Sequence, residues 1–209
     1  MSLGLGGVIL AAGESRRMGR DKALLPWPPS GQSSTDSAAQ SGTILSAAIQ
    51  ALSQFCDMVI VVAGNNELAL EPVVYGCGAI LVRNPNPKRG QFSSLQTGLQ
   101  EVLSRGRDSA MVTLVDRPPP AAETLTQLTT AFSDKGHDLW AVVPEYQEKH
   151  GHPILIGREL MEAFLRAPAT ANAREIEHAN QQRIAYIAVE DSAVAANVDT
   201  PEEYAKIGL

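Results

Sequence analysis

Cysteine and long apolar runs are both scarce in this chain. It has two cysteines, Cys56 and Cys77, and neither belongs to a C-x-x-C pair, so a disulfide framework is excluded. We expect both to be buried as small hydrophobes. No apolar run approaches the roughly 18 residues that a membrane-spanning helix needs. The N-terminus also lacks the basic start and cleavage pattern of a signal peptide, so we expect a cytoplasmic protein without a membrane contact.

An excess of positive charge is absent as well. The formal net charge is −6, which argues against nucleic acid as a partner. Four of the 17 basic residues nevertheless lie between Arg16 and Lys22. An acidic protein with one basic loop fits a small anionic ligand. The length of 209 residues, with 44% hydrophobic and 19% charged residues, indicates one globular domain, which we place at residues 4–209.

Two common phosphate-binding motifs are missing. In the P-loop pattern four residues separate the glycines, whereas five separate Gly13 from Gly19, and Arg20 follows in place of lysine. The dinucleotide fingerprint also fails, because Ile9 occupies the position of its third glycine. A nicotinamide-dependent enzyme is therefore set aside.

A third kind of phosphate loop is present near the N-terminus. The apolar run 8–12 predicts a buried strand that ends at Gly13. Glycine lets backbone N–H groups approach an anion, and guanidinium groups offer forked donors that match phosphate oxygens. The cations of the loop are Arg16, Arg17, Arg20 and Lys22. A solvated surface turn is the plainer alternative, but strand, glycine and cations in this order favour a polyphosphate site.

Strand and helix patterns alternate along the rest of the chain. Continuous apolar strands indicate a sheet covered on both faces, so the sequence predicts a three-layer α/β/α sandwich with a mainly parallel sheet. Apolar residues recur at helical spacing over 44–55 and 92–103. The predicted strands after the first are 58–63, 79–82, 111–115, 139–143 and 184–189.

The stretch 28–42 interrupts this alternation. It contains five serines, two prolines and no large apolar residue, so we expect a flexible insertion loop. Its role, as a lid or as a decoration, stays open.

Two aspartates stand next to predicted elements, one after a strand and one before a helix. Asp116 ends the apolar run 111–115 and precedes three prolines, a fixed position that suits a Mg²⁺ ligand; the alternative is a cap for the following helix near Glu123. Thr200 and Pro201 form a typical helix start, which leaves Asp199, one residue earlier, unexplained.

Two further segments contain polar groups in suggestive patterns. Gly90, Ser93 and Ser94 stand at a predicted helix start, where they either cap the helix or present donors to a nucleotide. His150 and His152 have no third ligand nearby and make a poor zinc site.

The segment Leu10-Ala-Ala-Gly-Glu-Ser-Arg-Arg-Met-Gly19, with Lys22, resembles the signature L-A-[AG]-G-x-S-x-R-M-G-x-x-K of the nucleotidyltransferases that act on molybdenum cofactor. Later segments resemble the family in the same order, around Gly90, around Asp116 and at Asn197–Glu203, so the likeness spans nearly the whole chain. The resemblance implies a Rossmann-like sheet of the nucleotide-diphospho-sugar transferase fold.

The resemblance also implies a role for each matching residue. Arg16 would contact the β- and γ-phosphates of an NTP, and Lys22 the α-phosphate. Mg²⁺ would bind Asp116 and Asp199. His152 would shape the acceptor pocket, whereas Arg117 departs from the family pattern and leaves the acceptor contacts open. The nucleotide-binding residues would be Leu10, Ala11, Ala12, Gly13, Ser15, Arg17, Gly90, Ser93 and Ser94.

The implied reaction is transfer of NMP to a phosphorylated small molecule, with pyrophosphate release. Guanylyl-transferring members tend to have glycine where this chain has Ala12, so we expect CTP to be favoured over GTP. Molybdopterin is the expected acceptor, and a molybdoenzyme or chaperone a further partner. The alternatives are transfer to a sugar or polyol phosphate, and a non-catalytic nucleotide- or cofactor-binding protein.

Overall fold

The computed structural model describes residues 4–13, 18–29, 42–134, 136, 138–168 and 170–207. Within these ranges the chain forms ten strands and seven α-helices. The strands are β1 Leu5–Leu10, β2 Pro26–Trp27, β3 Gly42–Thr43, β4 Met58–Ala63, β5 Ile80–Arg83, β6 Ser109–Leu114, β7 Ala141–Tyr146, β8 Lys149–His150, β9 Ile154–Gly157 and β10 Ile184–Ala188. The α-helices are α1 Ile44–Ser53, α2 Glu67–Gly76, α3 Gln91–Ser104, α4 Ala122–Asp134, α5 Arg158–Arg166, α6 Ala173–Ala179 and α7 Pro201–Ile207. None of the described helices is both long and apolar enough to span a bilayer.

One large sheet organises the molecule. Its strand order is β10-β7-β9-β6-β1-β4-β5, with β8 paired to β7. β1 pairs in parallel with β4 and β6, and β4 pairs in parallel with β5. Only β9 on the main path runs antiparallel to its neighbours β6 and β7. The mainly parallel sheet predicted from the sequence is therefore confirmed.

The strands are continuously apolar because each contributes to two cores. In β4, Val59, Val61 and Ala63 face one core while Ile60 and Val62 face the other. Helices α1, α2 and α4 cover the first face, and α3 and α5 cover the second. This arrangement confirms the three-layer sandwich. The expected full burial of the cysteines is only partly met, since Cys56 and Cys77 are half-buried against the first core.

The predicted elements agree with the structure to within a few residues. The predicted strand 58–63 coincides with β4, and the predicted helix 92–103 lies within α3. The first strand is displaced, because β1 begins at Leu5 and ends at Leu10 instead of running over 8–12. Glycine suits the first half of this strand because neighbouring side chains leave little room for a Cβ. A Cβ at Gly6 would lie 3.1 Å from Val102, and one at Gly7 would lie 3.2 Å from Leu52.

The insertion loop begins and ends on a short ribbon. Pro26 pairs with Thr43 and Trp27 with Gly42, so the two-residue strands β2 and β3 hold the ends of the stretch 28–42 together. Residues 30–41 lie outside the described part of the chain. The flexibility of the insertion stays a prediction.

The chain reverses its direction of travel across the sheet between β1 and β6. From β1 the connections lead outward through β4 to β5, and the chain then returns through α3 to β6 on the other side of β1. Adjacent parallel strands whose connections lead to opposite sides leave a crevice beyond their carboxyl ends, where ligands bind in folds of this kind.

Candidate active site

A cavity of about 600 Å³ opens at this crevice. Its walls come from the ends of β1 and β6 and from the start of α3. Many residues of the predicted nucleotide site are among its lining residues, which are Leu10, Ala12, Gly13, Lys22, Asn65, Pro87, Lys88, Gly90, Gln91, Ser94, Leu114, Val115 and Asp116.

Lys22 is the cation at the centre of the site. It begins a 3-10 helix, Lys22–Leu24, whose first turn is capped by Asp21, which accepts a hydrogen bond from the N–H of Ala23 at 3.0 Å. Only 8% of the Lys22 surface is exposed. Its Nζ donates to Oδ1 of Asp199 at 2.7 Å and lies 3.9 Å from Oδ2 of Asp116. One ammonium group therefore joins the two aspartates that were predicted as metal ligands.

Asp116 lies two residues beyond β6 and is fixed by its own backbone, since its carbonyl accepts from the N–H of Val198 at 2.8 Å. Its Oδ1 is buried without a hydrogen-bond partner among the described residues. Burial raises the pKa of this carboxyl above its ordinary value, although Lys22 and Arg117 oppose the shift. An orphaned carboxylate oxygen beside a cavity fits a cation ligand.

The alternative role of Asp116, as a cap for the following helix, belongs to a different carboxylate. Oδ2 of Asp191 accepts from the N–H of Ala121 at 2.8 Å and from the hydroxyl of Thr124 at 2.9 Å, at the start of α4. The first turn of that helix is thus satisfied from a distant segment. The Asp116 carboxylate is left facing the cavity and Lys22.

Asp199 is separated from the helix start that follows it. The Thr200 hydroxyl accepts from the N–H of Glu203 at 3.2 Å, and Oε2 of Glu203 accepts from the N–H of Thr200 at 3.0 Å. This reciprocal pair confirms Thr200 as the cap of α7. The Asp199 N–H also donates to Glu203, at 2.8 Å, which leaves the carboxylate directed at Lys22.

Arg117 lies beside the two aspartates, and His152 lies near Arg117. Nη1 of Arg117 donates to the carbonyl of Ala196 at 3.0 Å and so ties the segment before Asp199 to the end of β6. Burial lowers the pKa of Arg117. Burial also lowers the pKa of His152 to about 4, helped by the charge of Arg117, so this imidazole is neutral near pH 7. The hydrogen bond from Arg117 to the carbonyl of Ala196 was not predicted, because the sequence does not show which distant carbonyl an arginine will meet.

The glycine–serine segment forms the wall opposite Lys22. Gly90 has a φ of +89°, a conformation that favours glycine. The buried amide of Asn84 donates to the hydroxyls of Ser93 and Ser94, at 2.8 and 3.0 Å. Ser93 in turn donates to the carbonyl of Gly90 at 2.7 Å. Ser93 thus shapes the turn from behind, whereas Ser94 and Gly90 line the cavity.

The remaining predicted residues fall into three groups: some line the cavity, one is in the core, and some lie outside the described residues. Leu10, Ala12 and Gly13 line the cavity, whereas the Ala11 side chain is buried in the core beside α1. Ser15, Arg16 and Arg17 lie outside the described residues, so their roles stay predictions. The described part of the chain contains no cluster of three or more histidine, cysteine or acidic side chains that could hold a metal by itself. A Mg²⁺ site with two carboxylates would need phosphate oxygens as further ligands.

The chain is similar to known proteins over almost its whole length. Residues 7–184 match the family model described as the MobA-like NTP transferase domain. The molybdenum cofactor cytidylyltransferase of Escherichia coli K12 is 25% identical over 94% of this chain and 92% of its own. A probable molybdenum cofactor guanylyltransferase of Mycobacterium avium is 28% identical over 95% of this chain and 92% of its own.

A solved structure extends this similarity to the fold. Rv0371c of Mycobacterium tuberculosis H37Rv superposes with a TM-score of 0.75 and 25% identity, covering 97% of this chain and 96% of its own. The nucleotide-diphospho-sugar transferase fold implied by the resemblance is confirmed. The cavity is lined by residues from both ends of the signature segment, Leu10–Gly13 and Lys22. Because the family model covers most of the chain, this protein belongs to the MobA-like NTP transferase domain family.

Proposed function

We propose that this protein is a nucleotidyltransferase of molybdenum cofactor biosynthesis that transfers CMP from CTP to molybdopterin and releases pyrophosphate. The observation that carries the proposal is the placement of Lys22 between Asp116 and Asp199 at the wall of the cavity. A cation and two carboxylates at the carboxyl ends of β1 and β6 match the needs of phosphoryl chemistry, which are charge neutralisation and alignment.

The reaction needs little covalent chemistry from the protein. An oxygen of the acceptor phosphate forms a bond to the α-phosphorus of the NTP, while the bond to the bridging oxygen of pyrophosphate breaks. A phosphate nucleophile is already ionised near pH 7, so no general base is assigned. Lys22 neutralises the α-phosphate and aligns the incoming oxygen, and Arg16 contacts the β- and γ-phosphates.

Asp116 and Asp199 fit a divalent cation, because one carboxylate oxygen is orphaned and both groups converge on the same ammonium. Held by Asp116 and Asp199, Mg²⁺ would supply a Lewis acid that neutralises negative charge on the phosphates. Lys22 then has a second role before the nucleotide arrives, since it offsets the repulsion between the two aspartates. Arrival of the phosphates lets the ammonium exchange one anionic partner for another.

The choice of CTP depends on Ala12, which lines the cavity. Its methyl group narrows the space beside a base and favours a pyrimidine over the larger guanine. The relatives include both a cytidylyltransferase and a probable guanylyltransferase, so the names alone support either nucleotide. Both names specify molybdenum cofactor, which supports molybdopterin as the acceptor. A molybdoenzyme or chaperone as a further partner stays a prediction from the sequence.

The test is pyrophosphate release from each of the four NTPs with Mg²⁺, with and without molybdopterin, and mass spectrometry of the product. We expect release with CTP that depends on the acceptor, and a loss of about 100- to 1,000-fold in kcat for Lys22→Met. Lys206→Met, which removes an exposed lysine on α7, is the matched control with wild-type turnover. A GTP preference would overturn the role given to Ala12. Nucleotide binding without release under any condition would favour the non-catalytic alternative.

A further inference from the structure

Asn66 makes an unusual set of contacts just before α2. Its side-chain oxygen accepts from the N–H of Gly64 at 3.0 Å. Its side-chain nitrogen donates to the carbonyl of Ala11 at 2.9 Å and to Oδ2 of Asp21 at 2.6 Å. One amide therefore combines a local contact at the end of β4 with two contacts to residues 55 and 45 positions away, at the end of β1 and just before Lys22.

Two of these contacts lie at opposite ends of the phosphate loop. Ala11 immediately follows β1, where the loop departs, and Asp21 immediately precedes the 3-10 helix that begins with Lys22. The Asn66 side chain thus spans the base of the loop. The third contact, to Gly64, fixes the amide beside the end of β4, the strand that pairs with β1.

Asp21 transmits this restraint to Lys22. Its Oδ2 is held by Asn66, and its Oδ1 accepts from the N–H of Ala23 inside the 3-10 helix. Both oxygens of the carboxylate are therefore used, one for the sheet and one for the helix. A hydrogen bond to an ionised carboxylate is stronger than a neutral one, so this connection resists displacement of the helix.

We infer that Asn66 is a positioning residue for catalysis, which acts through Asp21 to hold Lys22 at the α-phosphate. This inference rests on the proposed function, because it assigns the restraint to the step in which Lys22 aligns the nucleotide and the acceptor. Misplacement of a reacting group by about 1 Å can reduce the rate by about 100-fold.

The chemistry of the side chain explains why an amide stands at this position. The amide offers two N–H donors for the Ala11 carbonyl and Asp21, and one oxygen acceptor for Gly64. A carboxylate of the same shape would keep only the Gly64 contact and would repel Asp21 at 2.6 Å. An alanine would remove all three contacts without adding a charge.

The experiment is a double-mutant cycle of Asn66→Ala and Asp21→Ala, with kcat measured well below the unfolding temperature and normalised to folded protein. Each single variant is expected to lose about 10- to 100-fold in kcat. Because both changes break the same connection, the double variant should be no slower than the slower single variant. Asn66→Asp, which keeps the size of the side chain, should lose as much as Asn66→Ala.

The matched control is Asn172→Ala. Asn172 makes two contacts of a purely structural kind as the exposed N-cap of α6. Its side-chain oxygen accepts from the N–H of Glu175 at 3.0 Å, and its own N–H donates to Oε2 of Glu175 at 3.4 Å. This variant should lower stability by about 1 kcal/mol and leave kcat of the folded protein unchanged. If Asn66→Ala behaves in the same way, its role is structural and the inference is wrong. Losses that multiply in the double variant would refute the path through Asp21.

A binding measurement separates this inference from the proposed function. Calorimetry with a non-hydrolysable CTP analogue needs no acceptor and no turnover. If the wild type releases no pyrophosphate from any NTP but binds the analogue, the proposed function fails, and a tenfold weaker binding by Asn66→Ala, absent in Asn172→Ala, still supports the positioning role. Equal binding by Asn66→Ala and the wild type would then overturn that role as well.

Discussion

At the scale of single residues, the candidate site centres on the ammonium group of Lys22, which is buried between two carboxylates. A buried ammonium is expensive unless carboxylates compensate for the lost hydration. Here Asp199 at 2.7 Å and Asp116 at 3.9 Å supply that compensation, and the three side chains come from segments separated by as many as 177 residues. The ammonium and the two carboxylates therefore form one cluster, and Lys22 and Asp116 of this cluster line the cavity.

Substitution of Asp116 and of Asp191 should have opposite effects on turnover and stability. Asp116→Asn is expected to abolish turnover and to change stability little, because it removes a buried charge with an orphaned oxygen but also part of the compensation for the ammonium of Lys22. Asp191→Ala should leave kcat of the folded protein unchanged and lower stability by about 1 kcal/mol, because it removes the cap of α4. Denaturant unfolding and pyrophosphate release measure the two effects. Loss of turnover in both variants would contradict this division of roles.

At the scale of secondary-structure elements, the close approach of α3 to the sheet supports the wall of the cavity. A Cβ at Gly98 would lie 2.6 Å from Val8 on β1 and 3.0 Å from Val62 on β4. Only glycine allows the helix to approach these strands so closely, and the same helix begins with the segment around Gly90 and Ser94. The distance of α3 from the sheet therefore helps to set the position of this wall of the cavity.

Gly98→Ala is expected to lower the free energy of unfolding by about 1–3 kcal/mol, because the added methyl group overpacks the core. The control is Gly76→Ala at the end of α2, where an added Cβ meets nothing within 4 Å. That variant should be neutral or more stable by up to about 1 kcal/mol. Guanidinium unfolding of both variants tests the difference, and equal stabilities would show that α3 can move away without penalty.

The β2–β3 ribbon predicts that the insertion can be shortened. Replacement of residues 30–41 by two glycines keeps the paired residues Trp27 and Gly42 and leaves a four-residue hairpin loop. Because loop closure depends weakly on length, stability should stay the same or rise by about 1 kcal/mol. Thermal unfolding checks this, and a loss of more than about 2 kcal/mol would show that the insertion contributes to the core. A kcat that falls without a change in stability would favour a lid.

The position of the site belongs to the scale of the whole molecule. It lies where the parallel strands β1 and β6 are neighbours, although seven strands and α-helices separate them along the chain, namely β2, β3, α1, β4, α2, β5 and α3. The antiparallel strand β9 then extends the sheet beyond β6, and the residue His152 just before it lies against the carbonyl of Val112 on β6. No single segment contains the site, since the ends of β1 and β6, the 3-10 helix of Lys22 and the segment before α7 all contribute.

His152 predicts how global stability depends on pH. Its pKa is about 4 in the folded protein and 6.5 as the ordinary value. The unfolded chain therefore binds more protons between these values, and stability should fall as the pH drops from about 6.5 to about 4, by at most about 3 kcal/mol. In His152→Gln this part of the loss should disappear. Parallel stability curves for the two proteins between pH 4 and 7 would contradict the buried neutral imidazole.

Much of the fold could be predicted because local patterns and tertiary packing agree. The run 58–63 became β4 with the predicted bounds, since a continuous apolar strand has no stable place except between two helical layers. The predicted start of β1 was wrong because glycine weakens a strand, so Gly6 and Gly7 were not included in it. Their place in the strand is explained by the close packing of Val102 and Leu52, which leaves little room for a side chain at either position. β9 is not among the predicted strands, and its antiparallel pairing depends on the topology of the whole sheet.

The sequence by itself determined the composition of the site. The order of strand, glycine and cations, the aspartate after a buried strand, and the cap at Thr200 are local patterns whose physical meaning does not depend on distant partners. Tertiary structure alone decided which groups meet. It placed the ammonium of Lys22 between Asp116 and Asp199, gave the cap of α4 to Asp191, and set Asn66 across the base of the phosphate loop. Hydrogen bonds and ion pairs act over a few ångströms, and chain separation carries no information about those distances until the sheet has formed.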